Sequence, residues 1–411
     1  MSYIKNKIIN DPIYGFIRIP FSIIWEIIEH PYFQRLRRIS QLGLSSLVYP
    51  GANHNRFHHA IGATHLMHQA IETLKLKGIE ITKEEQEAAL IAILLHDIGH
   101  GPFSHALENS IVKNLSHESI SKMFMHELNE KFQGKLSLAI VIFEKKYHKK
   151  FLHQLISSQL DVDRLDYLNR DSFYSGVNEG TINSNRIIAM FNVKDGDLVI
   201  DYKGIYSIEK FIIARKLMYL QVYLHKTVLS AEHTLMQVLK RAKHLIKKKK
   251  SIYTTPAFSK FLFEKNDITT SFFKQNRLLH NFSMLDDYDI MTCIKEWTNE
   301  EDIVMKLLAN SIINRKLLKI KHIDSGEKYK IQKFKTIVIN KFKLNELDAE
   351  YLVFPVTIKN KIYSFDNDEI KFLQKNNTLL NLSELKQEFN INIENAKVIK
   401  HYICMPSECL D

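Results

Sequence analysis

His96 and Asp97 stand side by side at the end of an apolar run, AALIAILL, just before the break Gly99-His100-Gly101-Pro102. Neighbouring helical side chains point about 100° apart, so two of them can meet at one ion only where the helix stops beside a cleft. Glycines mark that stop. His59, in RFHHAIGATHLMHQAIETL, is a second candidate ligand. At helical spacing it shares a face with Ala63, Leu66, Met67, Ala70 and Leu74 and points inward, while His58 points elsewhere. Asp163, in SSQLDVDRLDYLNRD, is a third, placed by helical spacing with Ile156, Leu160 and Tyr167. A carboxylate on an apolar face must be paired or bound to a cation, because burying it alone is costly. Two imidazoles and two carboxylates form a borderline donor set suited to Mn, Fe, Zn or Mg, with positions left for water and phosphate oxygens. A His-Asp pair, an inward His or an inward Asp each has a commonplace structural explanation. The combination points to a metal centre.

The elements that must position these groups are mostly helical. Residues 4–19 read as two short strands around a turn punctuated by Pro12 and Gly15. From Phe21 to about Lys248 the pattern is mainly helical, and a further helical stretch runs to about Leu318. Thr82 and Glu85 form a capping box that starts the helix ending in His96-Asp97. From Lys321 the texture changes: KTIVINKF, EYLVFPVTI and KVIKHYICMP are short β-branched segments, and Asn367–Lys375 is helix-like. The expected fold is mainly α: a helical core over residues 1–250 behind a short N-terminal β-hairpin, then a helical and smaller α+β region over 251–411. No internal repeat is visible.

Bulk properties bound the function. The 411 residues are 45% hydrophobic and 25% charged, ordinary globular composition with material for a sizeable core. No apolar run is long enough for a signal peptide or a membrane span. Cys293, Cys404 and Cys409 are a sparse, odd set that fits a reducing compartment, so a cytoplasmic protein is expected. The net charge of +11 favours polyanionic partners, nucleotides first and nucleic acid second. A Lys-rich composition and the solvated run Lys247–Lys250 account for part of that charge.

The strings INDPIYG, FQRLRRISQLG, YPGANHNRFHHAIG, HDIGHGPFSH, HES followed by MF, and DVDRLDYLNRD lie in order across residues 7–171, with ARKLMYLQVYLHK and SIINRKLLKI following. In these the chain resembles the HD-domain deoxynucleoside triphosphate triphosphohydrolases. The resemblance implies metal ligation by His59, His96, Asp97 and Asp163. It implies His117, beside Glu118, as the proton donor or acceptor, with His100 and His105 contacting phosphate and orienting the attacking water; Glu108 would orient His105. Arg56, Arg164 and Arg215 fall at phosphate-holding positions, Gln41, Leu42 and Asp171 at positions that recognise the deoxyribose 3′-hydroxyl, and Tyr167 and Tyr223 at positions that crowd out a 2′-hydroxyl. The implied reaction is water attack at the α-phosphorus, giving deoxynucleoside and tripolyphosphate.

The resemblance further implies a homotetramer activated by GTP, dGTP or another dNTP. Lys7, Ile8, Asn10, Glu29, Gln34 and Arg37 fall where activator contacts lie, as do Arg186, Lys203, Arg315 and Lys319. Asp201, where a basic residue is expected, and Met190, where an aromatic is expected, depart from the pattern of a second activator site. Two rivals remain on sequence alone: another HD phosphohydrolase acting on nucleoside monophosphates, cyclic dinucleotides or ppGpp, and a nucleic-acid-binding protein with a vestigial site.

Overall fold

The computed structural model describes residues 7–104, 112, 115–264, 273, 278–324, 327, 329–361, 369–385 and 397–410. Strands β1 (Lys7–Asp11) and β2 (Gly15–Ile19) pair antiparallel, Lys7 opposite Ile19 and Asp11 opposite Gly15. Helix α1 (Ser22–Glu29) buries Ile23, Ile24, Ile27 and Ile28, an i, i+3, i+4 stripe that packs it on the core. The core-building helices are α2 (Arg56–Leu76), α3 (Lys83–Leu95), α4 (His117–Lys131) and α5 (Val162–Ser175). α2 starts at Asn55, whose side chain caps His58 N–H, and α3 starts at the Thr82/Glu85 capping box. The whole run Ala88–Leu95 is buried, and so are Ala63, Leu66, Met67, Ala70 and Leu74 along the His59 face of α2.

The helical reading of residues 21–248 is interrupted by a hairpin, β3 (Phe191–Lys194) and β4 (Asp197–Asp201). Its two-residue turn, Asp195-Gly196, has φ of 54° and 81°, both positive, as the right-handed strand twist requires. Beyond it lie α6 (Ile205–Met218), a π-helical turn over Tyr219–Tyr223, and α7 (Lys226–Lys247). Later come α8 (Ile303–Ile313), β5 (Lys319–His322), α9 (Tyr329–Phe342), β6 (Phe354–Lys361), β7 (Lys371–Leu373), β8 (Leu379–Asn381) and β9 (Lys397–Met405). β5, β9 and β6 form one antiparallel sheet. β7 pairs parallel with β4 and antiparallel with β8. The fold is mainly helical, with the N-terminal hairpin and an α+β C-terminal region.

Two C-terminal assignments are corrected. KTIVINKF lies in helix α9, not in a strand. Ile331, Phe334, Val338 and Phe342 pack against the core at spacings of three and four, and that helical stripe outweighs the β-branched composition. Within Asn367–Lys375, residues 371–373 form strand β7 rather than helix, because Phe372 is buried where β7 pairs with β4. Among the described residues no helix is long and apolar enough to cross a membrane.

Candidate metal centre and substrate cavity

α2, the C-terminus of α3 and the first turn of α5 bring His59, His96, Asp97 and Asp163 to one point. Asp163 Oδ1 lies 3.1 Å from His59 Nε2 and 3.6 Å from His96 Nε2. Asp97 Oδ1 is 3.4 Å from His96 Nε2, and Asp97 Oδ2 is 3.8 Å from His59 Nε2. The helix ends at Leu95, so His96 and Asp97 occupy a turn, which is how adjacent side chains converge. One detail differs from expectation. α5 begins at Val162, capped by Asp161, whose side chain accepts from Arg164 N–H. Ile156 and Leu160 precede the helix, so Asp163 is aimed by a capped first turn and not by an apolar face shared with them.

The donor set fits a cation. His59 Nε2 and His96 Nε2 are buried and have no hydrogen-bond partner among the described residues, while their Nδ1 atoms are occupied, by Asp166 Oδ2 at 2.7 Å and by Ile93 O at 2.6 Å. A partner on Nδ1 leaves Nε2 as the lone-pair donor. Burial alone would lower the His59 imidazole, but the nearby Asp163 and Asp166 carboxylates outweigh it and raise it to about 10. Burial likewise lowers His96, but the Asp97 and Asp163 carboxylates outweigh it and raise that imidazole too. Against its own burial, Asp163 is held well below the usual carboxylate range by the two imidazoles. With no cation bound, protons balance the carboxylates; a bound cation must release them.

The pocket continues beside this cluster as a cavity of about 390 Å³, within the range of roughly 300–1,000 Å³ usual for small-molecule sites. Asp97, His100 and His117 each place a ligating atom within 4.8 Å of the others, and the His100 and His117 rings stack with centroids 3.9 Å apart. Burial, with the Arg56 guanidinium adding to it, holds His100 well below the ordinary imidazole range and keeps it neutral. The α4 end is locked to the His96-Asp97 turn: Ser121 Oγ donates to His96 O at 2.7 Å and accepts from Gly99 N–H at 2.9 Å. Gly99 is required there, since a Cβ would lie 2.2 Å from His117 O. Arg35, fully buried, holds the other side of the turn by donating to His100 O at 2.8 Å.

Gln41, Leu42, Arg56, Arg164, Tyr167, Asp171, Arg215 and Tyr223 all line the same cavity. Arg56 pairs with Asp97 and donates to Ser104 Oγ at 2.8 Å. Arg164 Nε and Arg215 Nε are buried and have no acceptor among the described residues, as expected of donors that would meet an anion. Tyr223 OH donates to Asp171 Oδ2 at 2.7 Å, and the Tyr167 and Tyr223 rings meet edge-on at 6.3 Å. Burial raises both phenols, so both stay neutral.

Other expected residues lie elsewhere. Glu118 is exposed on the first turn of α4 and is not in the cavity lining, because the helix turns it about 100° away from His117. His105 and Glu108 lie outside the described residues. Lys7, Ile8 and Asn10 are exposed on β1, Glu29 is exposed on α1, and Arg37 stacks 3.6 Å over Phe57 while donating to Gln34 Oε1. Arg315 and Lys319 line a second hollow with Lys226; Arg186 and Lys203 are exposed and absent from that lining. Asp201 accepts from Lys77 Nζ at 2.8 Å and Met190 is buried, so both departures from the activator pattern have structural employment here.

Sequence reasoning missed His54, Tyr219 and Glu232. His54 Nε2 sits 2.7 Å from Asp171 Oδ1 and its ring stacks on Tyr174. Tyr219 lines the cavity between Arg215 and Tyr223, a spacing of four that was readable. Glu232, on α7, lines it too, and burial alone pushes its carboxyl up to about 7. A carboxyl whose folded value is raised takes up a proton on folding between about pH 4.5 and 7. Its stability contribution is therefore present at low pH and lost as pH rises through 7. Glu232→Gln is expected to melt close to wild type at pH 5 and higher than it, by on the order of a few degrees, at pH 8; differential scanning calorimetry at the two pH values checks this.

Comparison with known proteins matches two family models, the HD domain over residues 56–171 and the HD associated region over residues 182–255. Uncharacterized protein YwfO of Bacillus subtilis is 33% identical over 330 residues, spanning 79% of this chain and 73% of its own length. The deoxynucleoside triphosphate triphosphohydrolase SAMHD1 homolog of Dictyostelium discoideum is 33% identical over 262 residues, spanning 59% of this chain and 51% of that one. The crystal structure of a phosphohydrolase from Bacteroides thetaiotaomicron superposes with a TM-score of 0.92 at 47% identity, covering 98% of this chain and all of that one.

Proposed function

Because the chain belongs to the HD-domain phosphohydrolase family, we propose that it hydrolyses deoxynucleoside triphosphates at the α-phosphorus to deoxynucleoside and tripolyphosphate. The observation that carries this reading is the meeting, at one cavity, of a His/Asp cluster, arginine Nε donors with no acceptor among the described residues, and the hydrogen-bonded Tyr223-Asp171 pair. The activity named for the Dictyostelium relative supports it.

His59, His96, Asp97 and Asp163 would hold one divalent ion, Mn, Fe, Zn or Mg. Such an ion acidifies water and neutralises phosphate charge. Arg164 and Arg215, their Nε donors open, grip the triphosphate, and Arg56 joins them from its place against Asp97. His117 gives a proton to the departing 5′-oxygen, a poor leaving group as an alkoxide. Neutral His100, stacked on it, fixes the ring plane. Tyr223, held by its hydrogen bond to Asp171, would exclude a 2′-hydroxyl, and Gln41, Leu42 and Asp171, which line the same cavity, would receive the 3′-hydroxyl side of the sugar.

The same resemblance supports a homotetramer activated by GTP, dGTP or another dNTP. Its first contacts would be Lys7, Ile8, Asn10, Glu29, Gln34 and Arg37, with Arg186, Lys203, Arg315 and Lys319 from neighbouring subunits. A cytoplasmic enzyme fits the three unpaired cysteines, all buried and free.

The test is a panel of the four dNTPs and four NTPs with Mn or Mg, run with and without GTP, reading products by anion-exchange chromatography. Tripolyphosphate from dNTPs, at least about tenfold faster than from NTPs, is expected. Release of phosphate or pyrophosphate instead, or turnover of monophosphates or ppGpp alone, would overturn the proposal.

A further inference from the structure

We infer that Asp11 and Arg170 are positioning residues for the metal centre, acting on His59 through Asp166 in a continuous ionic relay from the N-terminal hairpin. The inference rests on reading the His59, His96, Asp97 and Asp163 cluster as a metal site. Each link is a well-formed contact. Asp11 closes β1, and its Oδ1 accepts from Ile13 N–H at 2.9 Å and Tyr14 N–H at 3.0 Å, which fixes the carboxylate to the turn. Its Oδ2 accepts from Arg170 Nη1 at 2.9 Å. Arg170 then donates through Nε and Nη2, both at 2.9 Å, to the two oxygens of Asp166. Asp166 Oδ2 stands 2.7 Å from His59 Nδ1.

Arg170, Asp166 and His59 are wholly buried, and Asp11 is 4% exposed. A buried chain of this kind contributes little net stability compared with apolar side chains of the same size, because each charge is desolvated. What it supplies is direction. Arg170 spends three of its donors on two carboxylates, so Asp166 cannot rotate away from Nδ1, and His59 Nε2 stays aimed at the cluster. The backbone makes room for this: Gly62 stands on α2 one turn after His59, and a Cβ there would lie 2.1 Å from both Arg170 Nη2 and Asp166 Oδ1. Without Asp11, Arg170 loses the anchor that sets its height along α5. The hairpin therefore enters the metal affinity although it contributes no ligand.

Mn(II) alone, titrated into the full chain and followed by the EPR signal of free Mn(II), tests this without turnover. Wild type is expected to bind one ion. Asp11→Asn, close in shape, should bind it about tenfold or more weakly. Arg170→Lys, which keeps the charge but loses the fork, should do the same and serves if the first variant does not fold. Leu308→Ala, a core truncation in α8, controls for general loss of stability and should bind within about twofold of wild type. Folded Asp11→Asn or Arg170→Lys binding Mn(II) like wild type would overturn the relay, as would equal weakening by Leu308→Ala. Failure of wild type to bind Mn(II) would instead overturn the reading of the site, and the relay with it.

Discussion

Replacing Asp163 by Ala is expected to abolish dNTP hydrolysis, with kcat/KM falling by at least about 10³-fold. Asp163 Oδ1 stands within reach of both Nε2 donors, at 3.1 and 3.6 Å, so its loss removes an oxygen shared between the imidazoles. Transition-state stabilisation of about 4 kcal/mol from a bound cation converts to that factor. The side chain is 26% exposed and lines the cavity, so the fold should persist. Its carboxyl is depressed in the folded protein, which means its stabilising effect is present at neutral pH and lost on acidification below the usual carboxylate range. Some lowering of the melting temperature at pH 7 is therefore expected, and less at pH 3. Steady-state tripolyphosphate release and Mn(II) stoichiometry check the prediction. Residual activity above about a tenth of wild type would place the centre elsewhere.

His117→Ala is expected to lower kcat by about 10²–10⁴-fold and leave KM nearly unchanged, since its work is proton transfer and not binding. The distinguishing measurement uses the leaving group. From a triphosphate ester of 4-nitrophenol, water attack at the α-phosphorus expels 4-nitrophenolate, a stabilised anion that needs no proton, and leaves tripolyphosphate. With it the variant should recover to within about tenfold of wild type. An equal loss on both substrates would make His117 a phosphate contact. Glu118→Gln, by contrast, should change kcat by less than about threefold, because that side chain is exposed and outside the cavity lining.

The inward face of α2 was legible because helical periodicity alone selects His59 over His58, and the structure buries the whole stripe. The α3 capping box and its apolar run were legible for the same local reason. Asp163 was picked out through a helix face, but the helix begins too late to include Ile156 and Leu160; what aims it at the cluster is the Asp161 cap. The Asp195-Gly196 hairpin carried a readable turn signal that the surrounding helical pattern obscured. Asp166, Arg170 and His54 sat within strings already singled out, yet their roles depend on contacts 107, 159 and 117 residues away in sequence, which periodicity does not encode. In α9 the opposite occurred: a β-branched segment took helical form because its apolar spacing matched the surface it covers.

The most direct test of where the bond breaks is hydrolysis of dGTP in ¹⁸O-labelled water, with mass spectrometry of both products. Attack at the α-phosphorus with departure of the 5′-oxygen puts one label in tripolyphosphate and none in deoxyguanosine. Label in the nucleoside, or monophosphate and pyrophosphate as products, would contradict the account.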